Sequence, residues 1–177
     1  MKILENEHKF TFSWGRISQA NWIKYPNEFT PHVTALDYLE RRLDVGTGVL
    51  HTTRLLTCTQ QIPDALLRLF FSKEDIPHSY VKEISQVDAR KGALDLRAKN
   101  LTLCDLLSVR EHCSYLQIDE ENTLFKQRIW IEAGERMWHW LRETAEEFCA
   151  RTIQANASKG KVALEHALEK INRAQQN

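Results

Sequence analysis

The sequence ERMWHWLRETAEEFCARTIQANASKGKVALEHALEKINRAQ, residues 135–175, decides the fold because it predicts one long helix late in the chain. It contains no proline and one glycine, and it is rich in Ala, Glu, Leu, Lys and Arg, which favour helical structure. Such a helix spans about 60 Å at about 1.5 Å per residue, with Gly160 as the expected point of a bend or interruption. A helix this long needs a surface to pack on, and the preceding sequence has to supply it.

That preceding sequence predicts an antiparallel sheet. In residues 93–101, Leu94 and Leu96 share one face while Asp95 and Arg97 share the other, which is typical of a sheet with one buried face. Strands are predicted at residues 2–13, 33–43, 48–59, 79–88, 93–101, 106–117 and 123–133, with turns at 45–48, 88–92 and 119–122.

A short helix should separate the first two strands. Ser13 is a suitable N-cap before Trp14, and Pro26 disfavours helical geometry at Tyr25, so this helix is expected to end near Lys24. Because the apolar face of the sheet needs cover, the long helix should supply it. We therefore predict an α+β fold in a single domain, residues 1–177: a curved antiparallel sheet of about seven strands gripping a long C-terminal helix.

Composition limits the function classes. Lys and Arg number 24 and Asp and Glu number 24, so the zero net charge argues against a generic nucleic-acid binder. The four cysteines show no CxxC spacing, so they predict buried thiols and no metal site. The chain has no run of 18 apolar residues, and residues 1–13 contain no secretory signal core. A soluble protein without a cofactor is expected.

Several polar residues occupy positions that the pattern marks as inward. Asn156 and Lys159 fall on the apolar stripe of the long helix, and Arg54 falls on the inner register of its strand. Lys159 could extend to solvent or meet an anion, and Arg54 could pair with an internal carboxylate or grip a phosphate. Lys24 and His32 bracket the turn around Pro26. Together the cations would form an anion site inside a sheet-and-helix cavity, suited to a phosphate attached to an apolar group.

One further segment, residues 62–71, is strongly apolar but too short to span a bilayer. It is interpreted either as a short buried helix or as a lid that closes the cavity and dips into a membrane surface. The residues expected to form this lid and membrane contact are Ile62, Pro63, Leu66, Leu67, Phe70 and Phe71.

A series of short motifs runs along the chain in a specific order. They are Lys24-Tyr25-Pro26-Asn27, Pro31-His32-Val33, Thr53-Arg54-Leu55-Leu56 followed by Pro63, Val87-Asp88, Asn100-Leu101-Thr102 and Asn156-x-x-Lys159-Gly160. In this order and spacing they resemble the PRELI/Ups/slowmo family of mitochondrial intermembrane-space phospholipid transfer proteins, over essentially all 177 residues.

The resemblance implies a StART-like helix-grip domain that ferries a phospholipid between the outer and inner mitochondrial membranes, acting peripherally at their surfaces. It also implies a heterodimer with a small helical partner that has twin cysteine motifs. The lid segment matches the lid loop of the family. The residues that would hold the headgroup phosphate are Lys24, His32, Arg54, Asn156 and Lys159.

The expected headgroup is inferred from the residues after the Arg-Leu-Leu motif, where this chain differs from one branch of the family. The branch that transports phosphatidic acid has lysines there, whereas this chain has Thr57, Cys58 and Thr59. A phosphate monoester has a charge of about −1.5 to −2, so fewer cations favour it less. Phosphatidylserine is therefore the expected cargo, with phosphatidic acid as the alternative.

Two other function classes compete with a phospholipid carrier. A lipid hydrolase is disfavoured because the sequence has no Gly-x-Ser-x-Gly elbow and no His-Glu-x-x-His pair. A protein-interaction module that transports nothing would retain the fold without moving lipid. We expect a protein that is not an enzyme.

Overall fold

The structure is a computed structural model, and it describes residues 1–59 and 78–175. Seven strands and two helices follow one another along these residues. They are β1 (Lys2–Phe10), α1 (Trp14–Ile23), β2 (Val33–Leu43), β3 (Val49–Cys58), β4 (Ser79–Asp88), β5 (Ala93–Asn100), β6 (Leu107–Gln117), β7 (Thr123–Ala133) and α2 (His139–Gln175).

All seven strands form one antiparallel sheet in the order β1-β7-β6-β5-β4-β3-β2. Strands adjacent in sequence are neighbours from β2 to β7, whereas β1 pairs with β7, placing Lys2 opposite Ile131 and Phe10 opposite Thr123. The predicted strands, the short helix and the long helix are confirmed. Ser13 occupies the N-cap position of α1, although its side chain makes no capping hydrogen bond.

The long helix begins at His139, four residues later than the sequence pattern suggests. The backbone of Gly134 lies against the loop before β6, where a Cβ atom on Gly134 would be 1.8 Å from the carbonyl oxygen of Asp105. A turn follows, in which the Met137 amide donates to the Gly134 carbonyl at 3.1 Å. From His139 the helix runs for 37 residues and continues through Gly160.

The apolar core lies between the sheet and α2 and has separate parts at the two ends of the helix. Leu164 near the C-terminal end packs with Ile17 of α1 and Leu94 of β5. Near the N-terminal end, Leu141 packs with Leu106. Full burial of such a side chain stabilises the fold by about 1.5–3 kcal/mol. The middle of α2 is thus held over the sheet from both ends.

Within residues 1–59 and 78–175, no helix is both long enough and apolar enough to cross a bilayer.

Candidate ligand-binding cavity

A cavity of about 340 Å³ lies between the inner face of the sheet and the middle of α2. Its volume is in the range of small-molecule sites, and its lining is mostly apolar. The lining includes Cys58, Cys113 and Cys149. Burial raises the pKa of the Cys58 and Cys149 thiols to about 11, so they are uncharged at neutral pH. The expectation that all four cysteines are buried is wrong for Cys104, which is exposed in the loop between β5 and β6.

Lys24 supplies a positive charge inside this cavity. It is the C-cap residue of α1, before Pro26, and both Lys24 and Tyr25 line the cavity. The Lys24 ammonium lies 5.0 Å from the centre of the Tyr25 ring, a cation–π contact. Burial by itself lowers the pKa of Lys24. The opposing effect of Tyr25, Tyr115 and Glu83 is larger, so the pKa lies above its ordinary value. Lys24 is therefore a cation at neutral pH.

Arg54 lies in an internal ion pair beside the cavity. Its side chain is 1% exposed, and its Nε and Nη2 atoms donate to Oε1 of Glu83 on β4, at 2.8 and 2.5 Å. Its Nη1 atom reaches the Asn21 carbonyl at 3.5 Å, and the guanidinium lies 5.1 Å from the centre of the Trp22 ring. The inward orientation predicted from strand alternation is confirmed, and the partner is a carboxylate.

This ion pair bears on the predicted phosphate contact. Glu83 lines the cavity and Arg54 is not among the lining residues, so a direct contact between Arg54 and a phosphate requires the pair to open. The role of Arg54 in binding the headgroup stays a prediction.

The remaining predicted phosphate ligands lie in the turn just before β2 and on α2. His32 and Asn156 line the cavity. Lys159 is exposed and outside the lining, whereas Gly160 and Lys161 belong to it. Burial of the imidazole lowers the pKa of His32, and the nearby Lys159 lowers it further. The structure brings Lys24, His32 and Asn156 to one cavity and leaves Lys159 beside it.

The expectation that Lys159 lies on the inward stripe of α2 is wrong, for a geometric reason. The inward positions run through Ile153, Ala157, Gly160 and Leu164 in steps of three and four residues. Gly160, the residue after Lys159, occupies the inward position, and the side chain of Lys159 is exposed.

The predicted lid residues, Ile62, Pro63, Leu66, Leu67, Phe70 and Phe71, lie outside the described residues.

Glu111 of β6 and Gln127 of β7 are among the polar residues on the cavity wall that were not singled out from the sequence. Oε1 of Glu111 accepts hydrogen bonds from Nε2 of Gln127 at 2.5 Å and from Sγ of Cys113 at 3.2 Å. The Nδ2 atom of Asn6 donates to Oε1 of Gln127 at 2.8 Å, which turns the amide nitrogen of Gln127 towards Glu111. The sequence signal was an acid between Val109 and Cys113 on the inner register of β6.

Within residues 1–59 and 78–175, no group of three or more His, Cys, Asp or Glu side chains is placed to hold a metal ion.

Solved structures share this architecture. A START superfamily protein from Mycobacterium smegmatis matches with a TM-score of 0.54 and 12% identity, over 96% of this chain and 98% of that chain. The Zhui aromatase/cyclase from Streptomyces sp. R1128 matches with a TM-score of 0.63 and 9% identity, over 96% of this chain and 95% of that chain. At these identities the likeness shows the fold alone: a START-like sheet that grips a long helix.

Comparison of sequences identifies the family to which this chain belongs. The PRELI-like family matches residues 15–174, and this chain belongs to that family. A UPS-like protein of Schizosaccharomyces pombe is 40% identical over 173 residues, covering 97% of this chain and 91% of the relative. The mitochondrial protein UPS2 of Saccharomyces cerevisiae is 35% identical over 172 residues, covering 96% of this chain and 73% of the relative.

Proposed function

We propose that this protein transfers a phospholipid, phosphatidylserine, between the outer and inner mitochondrial membranes, with the lipid held in the cavity under α2. The observation that carries the proposal is a mostly apolar cavity with a buried, protonated lysine, Lys24, at the end of α1. Membership of the PRELI-like family and the similarity to a mitochondrial relative support the compartment and the class of cargo.

The mechanism requires no covalent step, so we propose a carrier and not an enzyme. Each buried CH₂ group of an acyl chain contributes about 0.8 kcal/mol, whether it is buried in a bilayer or in an apolar cavity. The Lys24 ammonium can donate charge-assisted hydrogen bonds to the phosphate and replace part of its hydration. Because both environments solvate the lipid in similar ways, loading and unloading both proceed without an energy source.

The preference for a phosphodiester over a phosphate monoester rests on the charge of the cavity wall. The inward side chain after the Arg54 motif is Cys58, whose thiol is uncharged at neutral pH because burial raises its pKa to about 11. A phosphate monoester has a charge of about −1.5 to −2 and calls for more cations than a diester does. Phosphatidic acid is the alternative cargo.

The location and the partner follow from the family resemblance. The protein acts in the intermembrane space, touches both membranes peripherally and forms a heterodimer with a small twin-cysteine helical protein. Such a partner stabilises the folded chain by mass action, so the melting temperature rises with partner concentration.

The test is transfer of labelled phosphatidylserine and phosphatidic acid between liposomes by the co-expressed heterodimer. Lys24→Met should slow transfer about 10-fold or more, since a hydrogen bond to a charged group contributes about 1.5–3 kcal/mol. Lys9→Met removes an exposed lysine of β1 and should leave transfer unchanged. Circular dichroism melts of both variants show whether the fold is retained.

Other outcomes have definite meanings. A folded heterodimer that moves neither lipid would overturn the proposal and favour an interaction module. Faster transfer of phosphatidic acid would support the carrier function and identify phosphatidic acid, in place of phosphatidylserine, as the cargo. Mass spectrometry of the recovered lipids should find the input species alone, and a new chemical species would indicate an enzyme.

A further inference from the structure

We propose that Glu111, held by Gln127, binds the primary ammonium group of an aminophospholipid headgroup, and so forms a negative subsite in the cavity that contains Lys24. This inference rests on the proposed carrier function and extends it. It names the residue that separates amine-bearing phospholipids from those without an amine.

Glu111 faces the cavity from the sheet. It lies on the inner register of β6, it is half-buried, and it lines the cavity together with Gln127. A carboxylate in a mostly apolar cavity is costly unless a cation or several donors satisfy it. Glu111 therefore needs a structural partner or a ligand.

The described hydrogen-bond partners of Glu111 carry no positive charge. Within residues 1–59 and 78–175 Glu111 forms no ion pair with a lysine, arginine or histidine. Its two hydrogen-bond donors, Gln127 and Cys113, are neutral, and both bond to Oε1. Within the described part of the structure, the carboxylate is thus held in place without a cationic partner, and its Oε2 atom accepts no hydrogen bond.

Two hydrogen bonds in series fix the direction of the Glu111 carboxylate. Asn6 of β1 donates to the carbonyl oxygen of the Gln127 side chain, so the amide nitrogen of Gln127 faces Glu111. This chain of two bonds fixes the direction of the carboxylate before a ligand arrives, which lowers the cost of ordering it on binding.

The cavity that Glu111 lines also contains the opposite charge, the ammonium of Lys24. The Tyr25 hydroxyl is influenced by both: burial raises its pKa, Lys24 lowers it and Glu111 raises it. A phosphodiester with an ammonium group has the complementary pattern, with the phosphate towards Lys24 and the ammonium towards Glu111. A headgroup without an amine would leave Glu111 unneutralised.

The test compares phosphatidylserine and phosphatidylethanolamine, which have the ammonium, with phosphatidylglycerol, a phosphodiester that lacks it. Liposome transfer by the heterodimer is measured for wild type, Glu111→Gln and Gln127→Arg. Glu111→Gln should lower the ratio of amine-bearing to amine-free transfer about tenfold. Gln127→Arg should do the same with Glu111 still present, because an internal guanidinium would neutralise the carboxylate. Glu40→Gln, an exposed acid on β2, is the matched control and should leave the ratio unchanged.

Binding of six-carbon-chain forms of the same lipids, read by native mass spectrometry, separates the two proposals. If the wild type binds amine-bearing lipids selectively and Glu111→Gln removes the selectivity, the subsite stands even where no transfer is seen, and only the carrier function falls. If lipids are transferred but neither variant changes the ratio in transfer or binding, the subsite is overturned and the carrier function remains.

Discussion

Two carboxylates point inward from the sheet, Glu83 from β4 and Glu111 from β6, and their surroundings differ. Glu83 is 7% exposed and accepts two hydrogen bonds from the buried guanidinium of Arg54. Glu111 is held by a neutral amide and a thiol. Glu83 is neutralised by Arg54 inside the protein, so it is a structural part of the cavity wall. Glu111 lines the cavity and has no cationic partner among the described residues, which is the property expected of a ligand site.

The largest expected effect on stability comes from breaking the ion pair between Arg54 and Glu83. Arg54→Leu leaves Glu83 buried and unpaired, and we expect it to lower the free energy of unfolding by about 3–5 kcal/mol. Glu111→Gln should lower it by less than about 1 kcal/mol, since it disturbs no ion pair. Urea denaturation of both variants measures the difference.

The double variant Arg54→Leu/Glu83→Leu serves as the control for this ion pair. It removes both charges, so most of the lost stability should return. A cost for Arg54→Leu no larger than that for Glu111→Gln would show that the two carboxylates do not differ in the way described.

Two glycines, Gly160 and Gly134, differ in how tightly the surrounding atoms pack. Gly160→Ala places its methyl group where no atom lies within 4 Å, at the cavity, and should stabilise the helix by about 0.5–1 kcal/mol. Gly134→Ala forces a Cβ atom against the Asp105 carbonyl and should destabilise by about 1–3 kcal/mol. Thermal melts should therefore shift in opposite directions. Equal shifts would mean that the cavity side is packed as tightly as the wall.

The smallest expected effect concerns pH. Burial and the nearby Lys159 lower the pKa of His32, so the folded state favours the neutral imidazole. The stabilising contribution is present above the unfolded pKa of about 6.5 and is lost as pH falls through the lower folded value. Between pH 7.5 and 5.5 the melting temperature of the wild type should fall slightly more than that of His32→Gln. If the melting temperatures of the wild type and His32→Gln fall equally with pH, His32 lies in an environment like that of an exposed imidazole.

Most of the fold was predictable because strand alternation and helix composition are local properties of the sequence. The start of α2 was not, since it depends on contact between Gly134 and Asp105, which are far apart in the chain. The inward stripe of α2 was misplaced at Lys159 because Lys159 and the cavity-lining Gly160 are adjacent in sequence, and the pattern of apolar residues does not show which of the two faces inward.

The site was predictable in part. Strand alternation showed that Arg54 faces inward, but it could not choose between a phosphate and Glu83, which lies opposite it on the next strand. Glu111 also lies on a visibly inward register, yet its partner Gln127 is on another strand. Its importance comes from the absence of an ion pair in the described structure, which no sequence pattern reveals.

The position of β1 affects how the protein matures. Asn6 bonds Gln127 across 121 residues of sequence, because the first strand closes the sheet against the last. Contacts of such long range form late in folding, and during synthesis β1 must wait for β7 to leave the ribosome. The fixed direction of the Glu111 carboxylate is therefore among the last features acquired. A nascent chain should complete its hairpins well before it can discriminate between cargoes.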